Sequence, residues 1–472
     1  MLQRIRNIFK KQTFQNFSLY FFLTLIQKAF SFLLIPVYLY FLSVEDYGIL
    51  AITNAIATIV PMLFFLSLHE KIYFDAISKP EDFSLRVSTL IISGFFISIA
   101  VVVLQILLLP FADSLSLWGI PFYPHLFLSM ITGIGSFFIA LFTNILKGEN
   151  NASKVTLFSI SHFAFTTLLS LYLLVIKHLS VLSFLLAYSF GNAIFSAIII
   201  FLLLRKHGYS FSRNIILEMV RFSLPLIPHN MAHWLKASID KIWTTTYLGL
   251  REAGFLQLTT QIVSVLTFAV EAFISTNNPR FINLLDNRSP SNRIVVMLPV
   301  SVFFLLIPSL FIAFFSKEML ILIAKPQFTD AGPLFPFFIV SILFHLIYCN
   351  TVPLLFRIGS TASIGKITLV STAISSAFSF ILISNFGLIG AGISNILHTL
   401  LMAVLVFITC QKRYNLPWKL KRTAMLSFLP LIATVTLFLL PEASIFIRLT
   451  IVLLLLATAF FTCRNDLKQL LE

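Results

Sequence analysis

The sequence predicts an all-α polytopic membrane protein with fourteen transmembrane helices, and three observations carry that prediction. Hydrophobic residues make up 58% of 472, charged residues only 11%, and the mean hydropathy is +0.96. A soluble domain carries about 25% charged residues because its surface faces water; here lipid must solvate the apolar surface. The apolar residues gather in runs close to the roughly 20 that cross a hydrocarbon core. Finally, the basic residues alternate in sidedness from one connection to the next.

The runs are 16–42, 49–69, 87–109, 122–146, 155–176, 180–204, 222–248, 253–278, 295–316, 334–356, 367–386, 388–410, 423–440 and 446–462. Only Phe386 and Gly387 separate the eleventh from the twelfth, and the thirteenth is short. The first run is too long for a signal-peptide core and lacks a small-residue cleavage pattern, so a retained helix is expected. With the N-terminus inside, 25 of the 33 Lys and Arg residues fall on the cytoplasmic side and five (Lys177, Arg251, Lys317, Lys325, Arg448) on the other. Losing one internal helix would invert everything downstream, so this split supports the count and puts both termini in the cytoplasm.

The same split explains the formal charge of +15. The basic residues hold loops on one side and are not interleaved with the 53 Phe residues, so no nucleic-acid partner is expected. Cys349, Cys410 and Cys463 lie inside or at the ends of apolar runs, as small hydrophobes would. His229 and His233 are one turn apart, but no third ligand stands near them in sequence, so no metal site is expected. No connection is long enough to fold by itself. All chemistry must therefore lie between helices or at their ends, and neither a cofactor nor enzyme activity is expected.

A faint internal repeat divides the chain. Phe41–Gly48 resembles Tyr247–Gly254 at an offset of 206, each a short acidic turn closing on Gly, and Lys154–Leu157 resembles Lys366–Leu369. Two six-helix lobes of parallel topology follow, related by pseudo-twofold symmetry about an axis along the membrane normal. The boundaries expected are 1–211 for the N-lobe, 212–411 for the C-lobe and 412–472 for two C-terminal helices.

At the start of the second lobe the chain reads Leu224-Pro225-Leu226-Ile227-Pro228, then Asp240-Lys241, then Leu248-Gly249 and Ala253-Gly254-Phe255. This pattern resembles the polysaccharide transporter branch of the multidrug/oligosaccharidyl-lipid/polysaccharide (MOP) superfamily, which includes the Wzx-type O-antigen flippases. Pro36 and Tyr47-Gly48 are similar, more loosely, to the branch's first-helix ending. Lys241 departs from the usual Arg, keeping the charge but losing the bidentate fork. The resemblance implies a central cavity opening alternately to each side. It also implies an undecaprenyl-diphosphate-linked oligosaccharide as cargo, moved from the cytoplasmic to the periplasmic leaflet of a bacterial inner membrane. An O-antigen polymerase and a chain-length regulator are the protein partners it implies, beside membrane lipid.

Ionisable side chains at membrane depth are costly and usually face a bundle interior or a water-filled cavity. Lys28 and Lys236 lie deep in the first and seventh runs, and either could supply a mobile positive charge to a diphosphate. Asp240 follows Lys236 by one turn and could neutralise it or carry a coupling proton. Lys241 and His233 complete the candidate cavity set. His69, Glu70, Lys71 and Arg280 would rim a cytoplasmic mouth. Whether protons or sodium ions drive the cycle is left open by the sequence.

Two other classes compete. A multidrug antiporter of the MATE type would need acids in its cavity, whereas this one offers lysines. A membrane glycosyltransferase or O-antigen polymerase would need a large external loop, and none is present. The Glu45-Asp46 pair that such an enzyme would use is better read as a cap at the start of the second helix.

Overall fold

The computed structural model describes residues 19, 23, 25–286, 292–323, 326–357, 360–414, 418, 419, 421–423, 425, 426, 429, 432 and 444–471. Side chains at 272–294, 357, 361, 362, 414 and 467–471 fall outside that description. The chain forms two compact units, Met1–Ser238 and Ile239–Glu472.

The first unit contains α1 (Leu25–Phe41), α2 (Val44–Leu63), α3 (His69–Ser78), α4 (Phe83–Leu108), α5 (Phe127–Gly148), α6 (Ala152–Leu171), α7 (Val181–His207) and α8 (Arg213–Ser223). It also holds most of α9 (Ile227–Tyr247). The second unit contains the rest of α9, α10 (Leu250–Asp286), α11 (Asn292–Ile323), α12 (Phe335–Arg357), α13 (Thr361–Tyr414) and α14 (Ile445–Leu471). A two-residue hairpin pairs Ser116-Leu117 with Ile120-Pro121 between α4 and α5.

Ten of the described helices are long and apolar enough to cross a membrane, and the chain is an all-α polytopic membrane protein. One of the ten, Ser363–Arg413, covers two of the predicted runs. A straight helix of that length would reach far beyond a bilayer. Gly387, at φ 59° and ψ −139°, supplies the break, in a conformation that only glycine adopts readily. A Cβ on Gly390 would stand 2.1 Å from the Leu382 carbonyl oxygen, a closeness eight residues apart that requires the chain to fold back. The predicted run 423–440 lies largely outside the described residues.

The helix ends follow their sequence. Ser43 caps α2: its hydroxyl accepts from the Asp46 N–H, while the Asp46 carboxylate accepts from the Ser43 N–H. Ser180 Oγ also donates to Asp46 at 2.5 Å. Asp46 is thus committed to the helix start, and Glu45 stands beside it in the first turn.

Two connections that the sequence reading treats as loops, 70–86 and 205–221, contain the short helices α3 and α8. Apolar Ile72, Ile215 and Met219 are buried there, and so is Asp75, which is paired with Lys71. The three apolar residues join a core in which Phe65 stacks on Phe137 at 4.2 Å. Close approach of α5 to its neighbours depends on absent side chains. A Cβ at Gly133 would lie 2.5 Å from Val60 Cβ, and one at Gly135 would lie 2.5 Å from Asn192 Cβ. In the second unit, Arg448 on α14 donates to Glu318 on α11 at 2.7 Å, and Val452 packs on Leu310 and Phe314.

Candidate functional site

Helices α2, α3, α5, α6, α7 and the first half of α9 line a partly open cavity of about 540 Å³ within the first unit. Its polar lining has a simple helical logic. Asn54 and Thr58 come from α2, Thr132 and Ser136 from α5, Tyr188 and Asn192 from α7, and Asn230 and Trp234 from α9. Each pair is spaced i, i+4, which places both members on one helix face, one turn apart. Four helices thus turn a polar stripe toward a common space.

Asn192 organises that space. Its Nδ2 donates to the Thr132 carbonyl at 2.8 Å and to Ser136 Oγ at 3.1 Å. A carbonyl can only accept, so the amide orientation is fixed and Oδ1 faces His162 Nε2, at 2.8 Å. His162 therefore carries a proton on Nε2. Thr132 Oγ1 reaches Ser189 Oγ at 3.0 Å, which ties α5 to α7 again.

The first half of α9 is fixed to the cavity wall at two levels. Trp234 Nε1 donates to the Ala55 carbonyl at 2.8 Å, and Asn230 Nδ2 donates to Glu70 at 2.8 Å and Ser67 Oγ at 3.1 Å. Pro225 lies in the turn before α9 and Pro228 in its first turn, where a missing N–H costs nothing. Past the unit boundary, Asp240 Oδ1 accepts from Ser379 Oγ at 2.5 Å and Ser394 Oγ at 2.9 Å. Those serines lie on either arm of the α13 reversal, so one carboxylate oxygen braces both arms to α9.

Beside the cavity is an ionic cluster. Arg86 makes a two-pronged bond to Glu218 (2.8 and 2.9 Å) and a third to Asp82 (2.8 Å), and stands 3.5 Å from Asp75. Lys71 bonds Asp75 at 2.5 Å and lies over the Phe222 ring. The cluster fastens α8 to α3 and α4. The Arg86 hydrogen bond holds the Glu218 and Asp82 carboxyls below the usual carboxylate range. Depressed carboxylates contribute stability above their unfolded pKa, and that contribution is lost as pH falls through the lower folded value. Thermal unfolding of purified protein between roughly pH 3 and pH 7 should therefore show wild type losing stability at the acid end. Glu218→Gln should start lower at neutral pH and lose less on acidification; parallel curves would separate Glu218 from the acid response.

Of the predicted site residues, His69 and Glu70 line the cavity. Lys71 belongs to the ionic cluster. Lys28 on α1 and His233 and Lys236 on α9 are exposed and are not among the cavity's lining residues; Lys241 is half-buried. The His229 and His233 rings meet edge to face at 4.7 Å. Arg280 lies on α10, with its side chain outside the described residues. Among the described residues, no group of three or more His, Cys, Asp or Glu side chains could hold a metal. Sequence reasoning missed Thr58, Thr132, Ser136, Tyr188 and Asn230; their signal was neutral polar pairs at i, i+4 inside apolar runs.

Residues 13–285 match the family model described as polysaccharide biosynthesis protein. A Haemophilus influenzae protein, Lsg locus putative protein 1, is 23% identical over 171 residues, which cover 36% of this chain and 43% of that protein. The chain thus spans less than half the length of that relative. Among solved structures, lipid II flippase MurJ in an inward closed conformation superposes with a TM-score of 0.64 at 14% identity, covering 92% of this chain and 99% of that one. An inward-facing MATE family multidrug resistance transporter gives 0.56 at 16%, covering 82% and 94%. A MOP superfamily transporter from Pyrococcus furiosus gives 0.52 at 15%, covering 83% and 93%. At these identities the superpositions establish the fold. With more than half of its length matched by the family model, the chain belongs to the polysaccharide biosynthesis protein family.

Proposed function

We propose that this protein flips an undecaprenyl-diphosphate-linked oligosaccharide, the repeat unit of O antigen or another surface polysaccharide. Transfer runs from the cytoplasmic to the periplasmic leaflet of a bacterial inner membrane, by alternating access. The observation that carries this reading is the cavity among the helices of the first unit, where amide, hydroxyl and aromatic side chains are set into a mainly apolar wall. Such a lining suits a glycan, which offers many hydroxyls and few charges. Family membership supports the same cargo class. In this reading Lys28 and Lys236 meet the diphosphate, with Lys241 near it. Asp240 is the acid to which a coupling proton is assigned, and His69, Glu70, Lys71 and Arg280 surround the cytoplasmic entrance.

The direct test is protein-dependent transfer of a fluorescent polyprenyl-diphosphate oligosaccharide across reconstituted vesicles, read by quenching with a membrane-impermeant reductant. Purified wild type should make the inner-leaflet pool accessible, and vesicles without protein should not. Lys28→Ala and Lys236→Ala should insert at normal levels yet fail to transfer, and Lys→Arg should retain part of the activity. No transfer by wild type would overturn the reading. Wild-type transfer by both alanine variants would remove the lysines from it.

A further inference from the structure

The cavity's chemistry is one-sided. No Lys or Arg is among the described residues lining it, and Glu70 is the one carboxylate there. Phosphate groups are recognised by Arg, Lys or helix N-termini; the α3 start in this lining carries the Glu70 carboxylate, so the lining does not suit the diphosphate end of a lipid-linked cargo. As in most ligand sites the wall is mainly apolar, and its few polar groups come as pairs from four helices, a mixture that suits the C–H faces and the hydroxyls of a sugar together. The hydrogen bond from Trp234 Nε1 to Ala55 fixes an indole in the wall, and indole rings pair well with the C–H faces of sugars. Glu70 is held by Asn230 and cannot swing away without breaking that bond. At about 30 Å³ per water, the cavity has room for on the order of eighteen waters, or for a short glycan.

We propose that this cavity is a glycan subsite that accepts uncharged sugars and rejects sugars bearing a carboxylate. The proposal rests on the flipping reading and adds to it the class of sugar. Asn54 and Ser136 supply donors and acceptors for hydroxyls or acetamido groups, while Asn192, its amide committed to Thr132, Ser136 and His162, holds the wall behind them in shape. Glu70 sets the sign: a second carboxylate brought beside it in a partly desolvated space is repelled. The diphosphate is then bound elsewhere in the chain, so that sugar selection and anion binding are separable.

The test uses full-length protein and three synthetic polyprenyl-diphosphate disaccharides, ending in glucose, N-acetylglucosamine or glucuronic acid. Equilibrium binding in detergent and transfer in vesicles are measured for each. Wild type should bind the two neutral probes on the order of tenfold more tightly than the glucuronate probe. Glu70→Gln keeps an oxygen for Asn230 and should bring the three affinities together, whereas Asn54→Leu should weaken the neutral probes. Equal affinities in wild type, or a ratio unmoved by Glu70→Gln, would overturn the subsite even if transfer proceeds. Selective binding without transfer of any probe would sink the flipping reading and leave the subsite standing.

Discussion

Gly133→Ala, the addition of one methyl group, should leave little folded protein in the membrane. The new Cβ would stand 2.5 Å from Val60 Cβ and 2.6 Å from the Ala57 carbonyl oxygen. A flexible side chain could yield, but a helix backbone cannot, so α2 and α5 must part along their contact. Overpacking of this kind costs about 1–3 kcal/mol, and contact with backbone puts Gly133 at or above the upper end. The damage is not confined to stability, because Asn54 and Thr58 sit on one of these helices and Thr132 and Ser136 on the other. Gly365→Ala is the control: nothing lies within 4 Å of its Cβ position, and alanine is the better helix former. Membrane abundance and thermal midpoint in detergent should fall sharply for Gly133→Ala and hold or rise for Gly365→Ala. Similar behaviour of the two variants would mean that helix separation here is not set by Gly133.

Much of this fold was legible in the sequence because lipid imposes a single dominant constraint: backbone groups must be satisfied within long apolar helices. Runs such as 87–109 and 180–204 therefore announce themselves, and even the abrupt break at Phe386-Gly387 marks a reversal between two helices. The short helices α3 and α8 were hidden for the opposite reason. They lie along the connections, and their charges lower the hydropathy below any spanning threshold. Helix α9 is intermediate, since Lys236, Asp240 and Lys241 within 21 residues dilute an otherwise suitable length.

The site was legible only in part, because ionisable residues were the guide. That guide found Glu70 and His69, which line the cavity. It passed over Asn192, whose amide joins α5, α6 and α7, because a neutral amide does not stand out in composition. Its importance comes from three partners at 2.8 to 3.1 Å, drawn from helices distant in sequence. The i, i+4 polar pairs could have been found by the periodicity used for apolar faces. What periodicity could not supply is which stripes face one another.

Asp240 offers the sharpest separation of structure from transport. Both serine hydroxyls donate to the same oxygen, Oδ1. Asparagine can present its amide oxygen at that point, so Asp240→Asn should keep the brace between α9 and the two arms of α13 while removing the charge. Ser379→Ala with Ser394→Ala does the reverse, leaving a carboxylate without its donors. Hydrogen bonds to charged groups contribute about 1.5–3 kcal/mol each, so the double serine variant should lose on the order of 3 kcal/mol or more. Asp240→Asn should unfold near the wild-type temperature. That well-folded variant can then be asked about transport, in vesicles with and without an imposed pH gradient. If Asp240 carries the coupling proton, Asp240→Asn transfers cargo at a rate indifferent to the gradient, while wild type is accelerated by it. An Asp240→Asn protein as unstable as the double serine variant would refute the brace, because the hydroxyls would still have had an oxygen to meet. A stable Asp240→Asn protein with an intact gradient response would confine Asp240 to holding α13 in place.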